Sequence, residues 1–167
     1  GQVAAGRLSV QAPGIRPAVF GFSCNVDLEH GRISVAEARF SHGRSLISAS
    51  GAIENFQDPR ARFDTRARLQ LEDAARWVDL PIERRGSVSF EGVAALGGSP
   101  PFSLRGTLNG QGLALEKAGV RVAGARAAAR ISLDPRGVRL DGLTLRALDG
   151  VFAGRARIDD WKRFALS

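Results

Sequence analysis

Polar and apolar residues alternate along most of the chain with a period of two. That is the spacing of a strand with one face on an apolar layer and the other in water. From Ala18 the even positions are Ala18, Phe20, Phe22, Cys24, Val26 and Leu28, with Ser23, Asn25 and Asp27 between them. From Phe63 the odd positions are Phe63, Thr65, Ala67, Leu69 and Leu71, set against Arg62, Asp64, Arg66, Arg68 and Gln70. The rhythm returns at Phe102, Leu104, Gly106 and Leu108, then at Ala127, Ala129, Ile131 and Leu133, and last at Phe152, Gly154, Ala156 and Ile158. Shorter strands are predicted around Leu8 to Val10, Leu46 to Ile53, Val88 to Val93 and Val120 to Val122.

Turn chemistry punctuates these runs. His30-Gly31, Asp58-Pro59, Asn109-Gly110, Asp134-Pro135-Arg136-Gly137 and Asp149-Gly150 all favour reversal of an antiparallel chain. A parallel sheet would need crossover helices, and the sequence offers one helical candidate near residues 72–80. There Asp73 is placed to cap, Ala74, Trp77 and Val78 form one apolar stripe, and Pro81 ends the run. The predicted class is all-β, an antiparallel sheet with one short helix over an edge or groove mouth.

Two stretches echo one another. Apolar residues fall at Ile33, Val35, Ala38 and Phe40 after Gly31, and at Val138, Leu140, Leu143 and Leu145 after Gly137, a constant offset of 105. Both break the alternation between their second and third members, which predicts a β-bulge at the same place in each. A loose internal repeat relating 31–55 to 137–159 follows from this spacing.

Composition adds bounds. The 167 residues are 44% hydrophobic and 25% charged, a globular balance. They suffice for one domain or for a single segment, 1–167, of a longer repetitive protein. The start at Gly1 and the lack of methionine are read as such an excised segment. No apolar run is long enough to span a bilayer as a helix. The net charge of +7 is carried almost wholly by arginine. Arginines spread along the chain, with no tyrosine to stack bases, argue against nucleic acid as a partner.

Chemistry is sparse. One cysteine, Cys24, cannot build a disulfide framework and is read as a small buried hydrophobe. His30 and His42 each precede glycine in a predicted turn, and no nucleophile elbow or phosphate loop occurs. Glu37, Asp64 and Glu91 lie on polar strand faces among arginines and are read as surface ion pairs. The chain is not expected to be an enzyme, and no metal or cofactor is expected.

Several stretches resemble the periplasmic β-repeat region of the AsmA/TamB superfamily. They are Gly31-Arg-Ile-Ser-Val-Ala-Glu-Ala-Arg-Phe with Ser50-Gly51-Ala-Ile-Glu-Asn, Leu71-Glu-Asp-Ala-Ala-Arg-Trp-Val-Asp-Leu-Pro81, Gly86-Ser-Val-Ser-Phe-Glu-Gly92, Leu104-Arg-Gly-Thr-Leu108 and Leu140-Asp-Gly-Leu-Thr-Leu145. The resemblance runs from about Ile15 to the end and involves strand-and-glycine patterns, with no catalytic signature. It implies a long curved antiparallel sheet folded lengthwise into an open, taco-like groove. It also implies a periplasmic location, as part of an inner-membrane-anchored protein of a diderm bacterium. The partners implied are phospholipid and, through the full-length protein, an outer-membrane barrel protein of the assembly machinery.

Independently of that name, a sheet with one apolar face must bury it against something, and one short helix is little cover. The residues expected to line a groove for acyl chains are Phe20, Phe22, Val26, Leu28, Phe63, Leu69, Leu71, Phe102, Leu104, Leu108, Ile131 and Leu133. A structural β-repeat scaffold whose edge pairs with partner strands is the alternative. A carbohydrate-binding or hydrolytic sandwich ranks last, having only Trp77 and Trp161 to offer a sugar.

Overall fold

The fold is that of a computed structural model, which describes residues 2–12, 15–76, 85–117, 120–160 and 163–167. Eleven strands succeed one another in chain order: β1 (Gln2–Ala12), β2 (Ile15–Glu29), β3 (Arg32–His42), β4 (Ser45–Glu54), β5 (Arg60–Gln70), β6 (Ser87–Leu96), β7 (Phe102–Lys117), β8 (Val120–Asp134), β9 (Gly137–Ala147), β10 (Gly150–Asp159) and β11 (Arg163–Leu166). Each pairs antiparallel with the next in one unclosed, curled sheet, since β1 and β11 do not meet. The expected all-β fold with its open curved sheet and short helix is therefore present. The helix, α1 (Leu71–Ala74), is one turn between β5 and β6. Trp77, Val78 and Pro81 of the helical candidate lie outside the described residues, as does Trp161.

The register shows why alternation suffices to specify this fold. One row across the ladder sets Val26, Val35, Gly51, Phe63, Ala94, Leu104, Leu133, Val138 and Ile158 successively opposite one another. A second row holds Phe22, Phe40, Ile47, Ala67, Phe90 and Leu108. Every apolar set thus falls on one face, and a slip by one residue would send it to water. Between these rows runs a line of small side chains: Cys24, Ala38, Ala49, Thr65, Gly92 and Gly106. With so little bulk along that crease, the larger flanking side chains lean across it. Phe22, Val26, Ile33, Phe40 and Phe63 pack on the buried Cys24, Val35 and Ala38. The Phe22 and Phe40 ring centroids stand 4.8 Å apart, within the range of favourable aromatic pairs.

Bulges sit where the sequence breaks alternation. In β3 the step from Val35 to Ala38 faces only Gly51 to Ala49 on β4. In β9 the step from Leu140 to Leu143 faces only Ala156 to Gly154 on β10. The extra residue keeps the apolar side chains on one face and bends the strand. Gly142 supplies the left-handed conformation at the second bulge, with φ +59°.

Two local expectations are overturned. Asn109-Gly110 is not a turn: both residues lie inside β7, opposite Ala128 and Ala127 on β8. Gly110 is there for space, since a Cβ would lie 2.7 Å from Leu113 Cδ1. Asp73 does not cap α1 either. The N-cap position is Gln70 without a side-chain cap, because the Asp73 carboxylate is engaged by the β3–β4 turn.

The result is not a sealed core. The chain exposes 11532 Å², whereas a compact protein of its mass exposes about 8000 Å². Among the described residues no large side chain is fully buried.

Candidate functional site

Among the described residues the apolar face of the sheet is an extended chemical feature. Eleven of the twelve residues expected to line a groove lie on it: Phe20, Phe22, Val26, Leu28, Phe63, Leu69, Phe102, Leu104, Leu108, Ile131 and Leu133. All but Leu28 are partly shielded, neither sealed nor fully exposed. Leu28 is 76% exposed, at the rim where β2 ends. Leu71 is the exception. It opens α1 and is 5% exposed, packed with Leu113 and Ala125, so it is a core residue where the helix meets the sheet.

The register adds residues that alternation alone left out. Ile33, Val35, Phe40, Ile47, Ile53, Val88, Phe90, Leu96, Leu140, Leu143 and Leu145 share the same face. Their signal was present in the sequence, within strands whose alternation is interrupted by bulges or by glycine and alanine. The apolar face is therefore continuous from β2 to β10.

The two rims of the sheet differ. At one, the row Leu28, Ile33, Ile53, Ala61, Leu96 and Phe102 ends the apolar face. Leu96 and the neighbouring turn residue Phe56 are each about half exposed there. The other rim carries α1, fastened by a polar latch. Asp73 is buried, and its Oδ2 accepts hydrogen bonds from the Arg44 amide and the Ser45 hydroxyl, both at 2.9 Å. The same Ser45 oxygen accepts from the Gln70 amide at 3.0 Å. Burial by itself would raise the Asp73 carboxyl, but these two donors and the Arg76 and His42 charges hold it below its ordinary value of 3.8. Arg44 also pairs with Glu72.

The opposite face is polar. Arg32 pairs with Glu54, Arg39 with Glu37, Arg60 with Asp58, Arg66 with Glu91 and Arg157 with Asp159. Such exposed pairs contribute about 0–1 kcal/mol each. The shallow recesses between arginines, such as one of about 410 Å³ lined by Ser103, Arg105, Ser132, Arg139 and Arg157, lie on this face. Charge is uneven along the chain. Residues 1–101 hold twelve arginines against eleven carboxylates, while 102–167 hold twelve cations against six carboxylates.

Other chemistry is thin among the described residues. His42 Nδ1 donates to the Val19 carbonyl at 2.7 Å, and Cys24 is buried in the crease. No group of three or more His, Cys, Asp or Glu is placed to hold a metal ion among these residues, and none of their helices is long and apolar enough to cross a membrane. Compared with known proteins, the chain matches no family model, no curated protein and no solved structure.

Proposed function

We propose that the chain is a passive groove for phospholipid acyl chains, a segment of an envelope-spanning lipid-transport protein of the kind its AsmA/TamB resemblance implies. The observation that carries this reading is an apolar face continuous across nine strands and left half shielded. Each lipid methylene that replaced water there would contribute about 0.8 kcal/mol. The contacts are non-directional and similar from strand to strand, so a lipid slides along the face without meeting a deep trap. On this reading the protein works in the periplasm, held by an inner-membrane anchor elsewhere in the full-length protein. Its partners are phospholipid and an outer-membrane barrel protein.

Native mass spectrometry of protein purified without detergent tests the proposal. Phospholipid adducts are expected on the wild type and are expected to vanish in Phe63→Asp and Leu69→Arg while circular dichroism keeps the β spectrum. A wild-type spectrum free of adducts, with no uptake of a fluorescent phospholipid, overturns it. A structural scaffold for outer-membrane protein assembly is the second reading. It is favoured by one observation: β10 from Gly150 to Gly154 has no strand on its outer edge among the described residues, leaving backbone groups for a partner strand.

A further inference from the structure

Two anomalies meet in the β9–β10 hairpin. The turn residues Leu148 and Asp149 have φ +50° and +61°. A two-residue turn with both central residues left-handed favours Asn, Asp or Gly, yet a leucine stands at the tip, 73% exposed and outside either apolar cluster. Val151 and Phe152 follow at 64% and 62%. Val151 lies on the polar face of the ribbon and Phe152 on the apolar face, opposite Leu145, so the tip is apolar on both sides. The second anomaly is electrostatic. Arg126 on β8 stands directly opposite Arg146 on β9, and Arg146 directly opposite Val151. Like charges so placed repel. Among the described residues neither arginine is paired with a carboxylate, and Asp149 is the one acid at the tip.

We propose that this tip docks on an anionic phospholipid bilayer, with Leu148, Val151 and Phe152 entering the interface and Arg126 and Arg146 resting on lipid phosphates. One partner resolves both anomalies. Hydrocarbon takes up the exposed side chains, and the headgroups offset the arginine repulsion. The excess of six cations in residues 102–167 points the same way, because it draws this end of the sheet toward a negative surface. A partner strand on the edge of β10 would leave Leu148 and the arginine pair unaccounted for. Of these residues Phe152 alone lies on the apolar face, at its exposed end, so docking of the tip does not require that the face hold lipid.

Flotation with vesicles of phosphatidylglycerol and phosphatidylcholine at low and high salt tests it. The wild type is expected to float with the mixed vesicles at low salt and to release at high salt, with little flotation on pure phosphatidylcholine. Leu148→Asn suits the turn, so it should melt at the same temperature or higher, yet bind vesicles roughly tenfold less. Arg126→Gln and Arg146→Gln should each weaken binding about fivefold. Phospholipid adducts in the native spectrum should persist in Leu148→Asn, which separates failure of the tip from failure of the groove. The proposal is overturned if the wild type does not float, if Leu148→Asn floats equally well, or if self-association without vesicles accounts for the difference.

Discussion

Asp73 is the residue on which the helical rim turns. Its single oxygen collects the Arg44 amide and the Ser45 hydroxyl, and Ser45 passes the chain on to the Gln70 amide. Removing the carboxylate in Asp73→Ala leaves the buried Ser45 hydroxyl and the part-buried Arg44 amide without this partner, at a cost of about 1–3 kcal/mol, read from urea midpoints. The pH dependence follows from the direction of the shift. A carboxyl held below its unfolded value stabilises fully above that value and loses its contribution as pH falls through the lower folded value. The gap between wild type and Asp73→Ala should therefore be constant at neutral pH and close only in acid below 3.8. Gly51 is the counterpart on the apolar face. A Cβ there would overlap the Arg62 carbonyl oxygen, backbone that cannot step aside without parting β4 from β5. Gly51→Ala should cost about 1–3 kcal/mol, read from urea midpoints, because its φ is not left-handed and the whole penalty comes from the Arg62 backbone.

At the scale of the strand, the bulges decide which way side chains face. Gly142 shows how a bulge can be tested without dismantling it. Its φ of +59° is costly for alanine but tolerated by asparagine. Gly142→Ala should destabilise by about 1–2 kcal/mol and Gly142→Asn by less, an ordering that thermal melts in parallel can check. Deleting Ala36 instead removes the extra residue of β3 and leaves one residue between Val35 and Ala38, as one lies between Gly51 and Ala49, so Ile33, Val35, Ala38 and Phe40 should keep their face while the strand loses its local bend. These elements also show where a sequence speaks plainly. The alternation in β2, β5, β7 and β10 is visible because each strand has one apolar face, and the paired breaks at Val35 and Leu140 are visible because a bulge skips one position. Asn109-Gly110 misled because a turn dipeptide is a local signal, whereas Gly110 answers to Leu113 on a bulged stretch of the same strand. The Asp73 latch was invisible for a related reason. Its donors at Arg44 and Ser45 lie 29 and 28 residues away, and no local pattern reports such a pairing. The twelve lining positions were legible as apolar. That Leu71 leaves the face for the core was not, because β5 gives way to α1 at that residue.

For the whole molecule, the open apolar face has a measurable thermodynamic signature. An unfolded chain of 17.8 kDa exposes about 26000 Å², and a compact fold about 8000 Å². The curled sheet already exposes 11532 Å², so unfolding it uncovers about four-fifths of the area that a compact fold of equal length would uncover. The urea m-value scales with that area. It should therefore fall about one-fifth below that of compact proteins of the same length, and the heat capacity change should fall with it. Lipid binding adds a second expectation of the same origin. If acyl chains occupy the face, the loaded protein hides apolar surface that the empty one leaves wet, and a ligand that binds only the folded state raises its stability. Protein loaded with phospholipid should then melt at a higher temperature than delipidated protein and bind less of an environment-sensitive apolar dye. An m-value equal to that of a compact fold, with no dye binding in the delipidated state, would mean that the sheet closes on its own side chains in solution. The apolar face would then be a core and not a groove.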